Sequence, residues 1–498
     1  MTTQHTEGPA EEGVRRWRRL RNGIGGALSA LGVFLLLSSR YAPNRPVTYT
    51  GIEDHFKYGS IGGDNPQNGL PLRVMQILPR MFHEHLPSGG RDYAAFGFLQ
   101  EPGRPMPIGF SVRRRGVDLV GLNCAVCHVG SVRASEDSAP VRYLAMPANT
   151  VDLQAYFEFL FDCAEDARFT PDLVIDEMEK DGALFPPERL IYRRAVVDMR
   201  RGLLRARDRL YVFTPLNPPF GPGRVDTFNP YKTNQFGDYY QGHLSAEERI
   251  GTVDFPSIWN QGPREGMHLH WDGDNTSVME RNVSAAFGAG ATREDVDLPR
   301  IRRVKEWLDR LPPPAFPFKR GEDPATLRQG QVLYEEYCAS CHSIGAAGVG
   351  RVVPIEEIGT DEHRLNSYTR TLRQLQVRYD RGYDWEFRHF QKTKGYANQP
   401  LDGIWARAPY LHNGSVPTLW DLLTPAERRP ASFYRGHDVY DPVRVGFRVD
   451  VREIDGRGAF LFDTSLPGNS SQGHTGARYG TELSDSDKWA LIEYLKTF

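Results

Sequence analysis

Cys124-Ala-Val-Cys127-His128 and Cys338-Ala-Ser-Cys341-His342 repeat one pattern, C-x-x-C-H, and use four of the five cysteines in the chain. With 5 Cys and 14 His in 498 residues, one chance match is expected in roughly one of several hundred shuffled chains. Two matches therefore indicate selection for the chemistry of the pattern. Two thiols three positions apart lie on one side of a helical turn and reach the two vinyl groups of one porphyrin. The imidazole that follows takes the iron. The spacing thus implies two covalently bound haem c groups, on Cys124 and Cys127 and on Cys338 and Cys341, with His128 and His342 as proximal ligands. A single four-cysteine zinc site would not need a histidine beside each pair, and neither motif lies in the βαβ pattern of a thioredoxin-like redox site. Cys163 has no partner and reads as a small buried apolar residue.

Net charge is −2, so no broad basic field points to nucleic acid and no acidic bias points to disorder. Gly (49) and Pro (36) are abundant, which suits segments wrapped around large flat cofactors. Near the N-terminus, Arg15, Arg16, Arg18, Arg19 and Arg21 precede an uncharged, mostly small or apolar run over residues 23–39. That order reads as an export signal. The residues that follow offer no strong small-x-small cleavage site, so an uncleaved transmembrane anchor is favoured over a removed peptide. Residues 1–41 are then a cytoplasmic Arg-rich tail and anchor. The body faces the periplasmic side of a bacterial inner membrane, or is secreted if the signal is cleaved.

Helical periodicity is predicted near 70–85 and over 150–166, 170–180, 187–207 and 298–310. Leu311-Pro-Pro-Pro-Ala-Phe-Pro-Phe ends the last of these, placing a boundary between an N-terminal haem domain (42–315) and a C-terminal cytochrome c domain (316–498). Asp323-Pro324 starts a helix that runs into Cys338, and Ser484 to Asp487 resembles a capping box before a final helix. Gly330 is the small residue a close crossing of these two helices requires. The expected fold is mainly α with long loops, two cytochrome c-like domains following the anchor.

The sixth position on each iron separates a carrier from a catalyst. His474, in a Gly/Ser loop before the last helix, is the favoured ligand for the second iron. His412, in a tight turn, is a ligand or a propionate neighbour. The run Gly266-Met-His-Leu-His270-Trp271-Asp-Gly-Asp-Asn275 concentrates groups suited to a pocket over the first iron, and its alternative reading is a Ca²⁺-binding Asp/Asn turn. Some of Arg224, Arg281, Arg351, Arg364, Arg381 and Arg407 should pair with haem propionates. Trp259, Trp271, Trp385 and Trp420 are candidates to stand between the haems.

These motifs resemble the bacterial di-haem cytochrome c peroxidase superfamily, in which Ala408-Pro-Tyr-Leu-His412-Asn-Gly is similar to a segment of the second domain. Asn123-Cys-Ala-Val-Cys-His, Gly223-Arg-Val-Asp-Thr-Phe-Asn, His270-Trp-Asp-Gly, Gly359-Thr-Asp, Pro400-Leu-Asp-Gly-Ile-Trp and Gly473-His474 are similar to the branch that includes the di-haem rubber oxygenases. The resemblance implies a reactive N-terminal haem with an open or weakly filled distal face and a bis-histidine, electron-transferring C-terminal haem. Where that branch carries a Phe-Trp pair and a further Phe, the chain reads His270-Trp271, with Phe287 as third member. The expected function is an exported di-haem oxidoreductase of oxygenase or peroxidase type. Its partner is either an apolar organic substrate or a small redox protein, a cytochrome or cupredoxin. The alternative is a membrane-tethered electron carrier without substrate turnover.

Overall fold

The computed structural model describes residues 45–498 apart from 88, 241, 242, 322, 380 and 384, together with residues 17, 21–23 and 25. The expected helices form where periodicity and caps place them. Asp152 caps α1 (Leu153–Glu165), Thr170 with Pro171 opens α2 (Pro171–Glu179), and Glu188 accepts the Phe185 amide at the start of α3 (Pro186–Leu210). Asp297 caps α5 (Leu298–Leu308), while Ser277 caps α4 (Val278–Gly288), a helix that the sequence pattern does not predict. Asp323 accepts the Thr326 amide at 2.9 Å to begin α6 (Pro324–Tyr337), and Ser484 caps α7 (Asp485–Leu495). Each cap satisfies amides that the first helical turn leaves unpaired.

The mainly α expectation is corrected. The chain is about 40% helix and 12% strand, and its strands pair antiparallel in small sheets. The largest contains β1 (Phe110–Arg114) and β2 (Leu119–Leu122), joined in register from Phe110 and Leu122 to Arg113 and Leu119. β3 (Val129–Val132) and β4 (Val141–Leu144) form a hairpin directly after the first motif, and β5 (Arg224–Asp226) pairs β6 (Thr252–Asp254). Strands of two to five residues are too short to display alternation clearly, so sequence periodicity registers only the helices.

The anchor is corrected too. Among the described residues no helix is long and apolar enough to cross a membrane, which leaves the expected anchor, and the membrane placement built on it, without support. Residues 1–44, apart from 17, 21–23 and 25, lie outside the described residues. The apolar run has 17 residues, four of them glycine. That is at the lower limit for a spanning helix, with about 1 kcal/mol of helix propensity lost at each Gly.

Three apolar cores position the site. One lies within residues 74–255 and holds α1 to α3. A second joins Phe56, Ala125, Val129 and Trp259 to α6, α7 and residues 404–447, and a third gathers α4 with Phe228, Tyr231, Tyr368, Phe387 and Phe390. In the second core α6 crosses α7 at Gly330, where a Cβ would lie 2.1 Å from the Ala490 carbonyl oxygen. Leu491 and Ile492 are fully buried there, each contributing about 2 kcal/mol of hydrophobic stabilisation.

Candidate haem centres

The first motif lies where the three cores meet: Cys127 packs on the first, and Cys124 on the second and third. β2 delivers the chain into Asn123, whose buried side chain fixes the turn that follows. Its Oδ1 accepts the Ala125 amide at 2.9 Å, and its Nδ2 donates to the carbonyls of Gly59 (3.0 Å) and Lys57 (3.2 Å). The Cys124–Val126 turn therefore has little freedom. His128 Nδ1 lies 2.9 Å from the Pro256 carbonyl oxygen. A carbonyl only accepts, so Nδ1 carries the proton and the Nε2 lone pair is left for a metal. Burial pulls this imidazole down to about 4, against the Pro256 bond and with help from Arg281, so it is neutral at pH 7.

The second motif follows α6 directly and repeats the device. His342 Nδ1 lies 2.7 Å from the Gln399 carbonyl oxygen, and burial lowers its pKa. The surroundings differ, because Ser340 is exposed and Ile344 is 52% exposed, whereas Ala125 and Val126 at the first motif are buried. All four motif cysteines are free. Burial pushes the Cys124 thiol up to about 11 and the Cys338 thiol up to about 12. Protonated thiols are poor zinc ligands, and among the described residues the four cysteines form no common metal-binding group.

His474 adopts a left-handed φ of 51°, a conformation rare outside glycine. Its ring rests on Tyr479 at 4.7 Å, its Nδ1 is buried without a partner, and burial, followed by His342, drives its pKa down to about 3. The two imidazoles are therefore in electrostatic reach of each other. His412 is elsewhere: buried, it stacks on Tyr396 at 4.2 Å, and its Nε2 has no partner. Burial brings it to about 3 against the pull of Asp361.

The His270 loop closes on itself where Leu269 bridges Asn275. His270, at φ 61°, places Nδ1 2.5 Å from Asp274 Oδ1. Asp272 accepts from Arg364, and Asn275 donates to Glu280, so the Asp/Asn turn is engaged by protein groups. Trp271 joins the two motifs. Its Nε1 donates to the Asp254 carbonyl at 3.0 Å and its carbonyl accepts the Ala397 amide at 2.9 Å. Asp254 is two residues from Pro256, and Ala397 is two residues from Gln399. A continuous path of hydrogen bonds and backbone thus runs from His128 through Trp271 to His342. The Asp254 amide also donates to the His412 carbonyl at 2.9 Å. Phe287 is buried among Tyr379, Trp385 and Phe387, in the core that packs on Cys124.

Of the candidate arginines, Arg407 donates to the Pro400 carbonyl at 2.7 Å and to Asp402, while Arg281 donates to Asn282. Burial lowers each to about 10. Arg224 is fully buried over Phe462 and burial lowers it to about 9, Arg364 pairs with Asp272, and Arg351 and Arg381 are exposed. Trp259 is buried and donates to the Asp402 carbonyl, Trp385 lies in the aromatic core, and Trp420 stacks on Trp489 at 4.1 Å. Pro256, Gln399 and Asp254 act through backbone carbonyls, which leave no side-chain signature. Asn123 does leave one, as a helix-capping residue just before the motif.

Residues 395–434 match the family model described as RoxA-like, cytochrome c-like. That segment holds Gln399, Asp402, Arg407 and His412, and it supports a haem-containing cytochrome that binds haem c. Two uncharacterised proteins of Sinorhizobium fredii are similar to the chain. One, y4iM, is 31% identical over 294 residues, covering 49% of this chain and 64% of its own length. The other, y4iJ, is 26% identical over 517 residues, covering 81% of this chain and 83% of its own length. The chain thus spans just under two thirds of the length of y4iM.

Proposed function

We propose that the chain is a di-haem c-type oxidoreductase of the rubber-oxygenase-like or peroxidase-like kind, with a reactive haem at Cys124, Cys127 and His128 and an electron-transferring haem at Cys338, Cys341 and His342. The residues fit the group. Each motif has two free cysteines, and each motif histidine has Nδ1 committed to a carbonyl and Nε2 available. Such a second-shell bond fixes the tautomer and orientation of a metal-binding imidazole. The observation that carries the reading is the path through Trp271. Two metal-binding imidazoles joined by one indole and four hydrogen bonds of 2.7 to 3.0 Å suit a protein that moves electrons between two centres.

When bound, the haems supply redox-active iron, the first activating O₂ or peroxide. The chain's residues do the rest. His474 is the second ligand on the His342 side, its neutral imidazole kept dry by burial. Among the described residues, no histidine figures among the groups that shift His128, which suits an open distal position. His270 with Asp274 is a histidine–carboxylate pair beside Trp271 and can hold and release a proton at Nε2. That pair favours peroxide over an apolar substrate, since peroxide cleavage consumes protons. The second motif, with Ser340 and Ile344 exposed beside it, is where a small redox protein would exchange electrons.

Haem counting together with EPR and optical spectra of the oxidised protein tests the proposal. Two haems are expected, the first high-spin and binding cyanide, the second low-spin. His474→Ala should turn only the second high-spin. Fewer than two haems, or two low-spin irons that bind neither cyanide nor peroxide, would sink the enzyme reading; the second result leaves an electron carrier.

A further inference from the structure

We infer that Arg264, Arg281 and Arg407 form one shared clamp around Asp402 for two carboxylates, a propionate from each haem, between the two motifs. The inference rests on the two-haem reading above. Asp402 accepts from Arg264 and from Arg407 (2.7 Å), and its other oxygen accepts from Asn260 Nδ2 at 2.9 Å. Arg281 joins from α4: Asn282 beside it donates at 3.1 Å to Gln261, a neighbour of Asn260 in the chain. Among the described residues, Asp402 is the one carboxylate hydrogen-bonded to any of the three guanidiniums. Arg264 is buried, and the other two are partly buried. Glu265 and Asp309 act on Arg281 only through space, without a hydrogen bond to it, and guanidiniums held out of water without such a partner are costly unless anions join them.

Donors without acceptors point the same way. Gln261 Nε2 and Arg407 Nε are buried and have no partner, and Arg281 has no carboxylate in ion-pair range among the described residues. Buried donors of this kind are normally satisfied. The clamp also touches both motifs. α4, which carries Arg281, packs on Cys124 through Val283, Ala286 and Phe287. Arg407 holds the carbonyl of Pro400, the residue after the Gln399 that holds His342. Once both vinyl groups of a haem c are taken by cysteines, its remaining polar handles are two propionates. A guanidinium fork receives a carboxylate bidentately.

The test uses the full chain with haem attached, with covalent haem counted by pyridine haemochrome and midpoint potentials measured by spectroelectrochemistry. Removing a cation beside an ionised propionate favours the ferric state. Arg281→Gln should therefore lower mainly the potential of the first haem, Arg407→Gln mainly that of the second, and Arg264→Gln both. The variants' potentials should also become pH-dependent between about pH 5 and 8, where a clamped propionate stays ionised. Variants that keep both haems yet show unchanged potentials and pH profiles overturn the clamp. If a Gln variant fails to retain haem, Arg281→Lys and Arg407→Lys keep the charge and lose the fork. Resonance Raman bands of the propionates should then shift, and unshifted bands overturn the inference. A wild-type protein with fewer than two haems refutes the two-haem reading instead.

Discussion

His437 should make the joint between the two halves of the chain sensitive to acid. It is 1% exposed and uses both ring nitrogens: Nε2 lies 2.9 Å from the Arg448 carbonyl, and Nδ1 accepts the Val439 amide at 3.2 Å. Its own carbonyl accepts from Asn149, and the next residue, Asp438, accepts Ser131 Oγ at 2.7 Å and the Arg133 amide at 2.6 Å. The pair therefore ties β3, immediately after His128, to the C-terminal half. Protonation at Nδ1 would expel the Val439 amide. Burial, against the Arg448 bond and nearby Asp438, lowers the folded pKa to about 4 from 6.5. Below pH 6.5 the unfolded chain binds a proton that the folded chain refuses, so stability falls with falling pH and levels off below about 4. Linkage gives a loss of about 0.8 kcal/mol at pH 6, about 2 at pH 5 and about 3 at pH 4. His437→Gln lacks this slope but loses part of the hydrogen bonding, about 1–2 kcal/mol at every pH. Urea unfolding of both proteins from pH 4 to 7 should show the wild-type advantage shrinking with acid and reversing near pH 5. A difference between the two that stays constant across this range refutes the buried, neutral imidazole.

Two further perturbations test the framework of the second motif and the path between motifs. Gly330→Leu must displace the Ala490 backbone or the Tyr494 side chain; overpacking of this kind costs about 1–3 kcal/mol or more, exceeding the helix-propensity gain of about 1 kcal/mol, and it should appear as a lower thermal midpoint with loosened ligation of the second haem. Trp271→Phe removes the indole donor to Asp254 while keeping an aromatic ring; electron equilibration between the haems, followed after flash reduction, should slow severalfold with both haems still attached, and an unchanged rate would place the route elsewhere.

The expected helices were legible mostly where apolar spacing and a cap coincide; α4, in a stretch without clear periodicity, was not among them. Gly330 shows how far this reaches: a single glycine in α6 foretells a crossing that admits no Cβ at that point. The sheets were not legible. β1 and β2 owe their place to pairing with each other, and in so short a strand a sequence like Leu-Val-Gly-Leu offers nothing that separates it from buried coil. The expected anchor lies on residues outside those described, and no described helix is long and apolar enough to cross a membrane.

At the site, the sequence offered candidate groups and was silent on what holds them. His128, His342 and Trp271 stand out by residue type, but Pro256, Gln399, Asp254 and Ala397 act through backbone atoms that any residue, proline's missing amide aside, could provide. The motifs looked alike in sequence, and their proximal bonds are alike in the structure. What separates them is tertiary: three cores converge on Cys124 and Cys127, while one packs on Cys338 beside an exposed Ser340 and Ile344. More apolar packing around a centre strengthens electrostatic interactions within it and limits water, conditions that bond-making chemistry needs. A centre at the surface shortens the distance to a partner, which electron exchange needs. The division of labour proposed for the two motifs rests on packing that neither pentapeptide encodes.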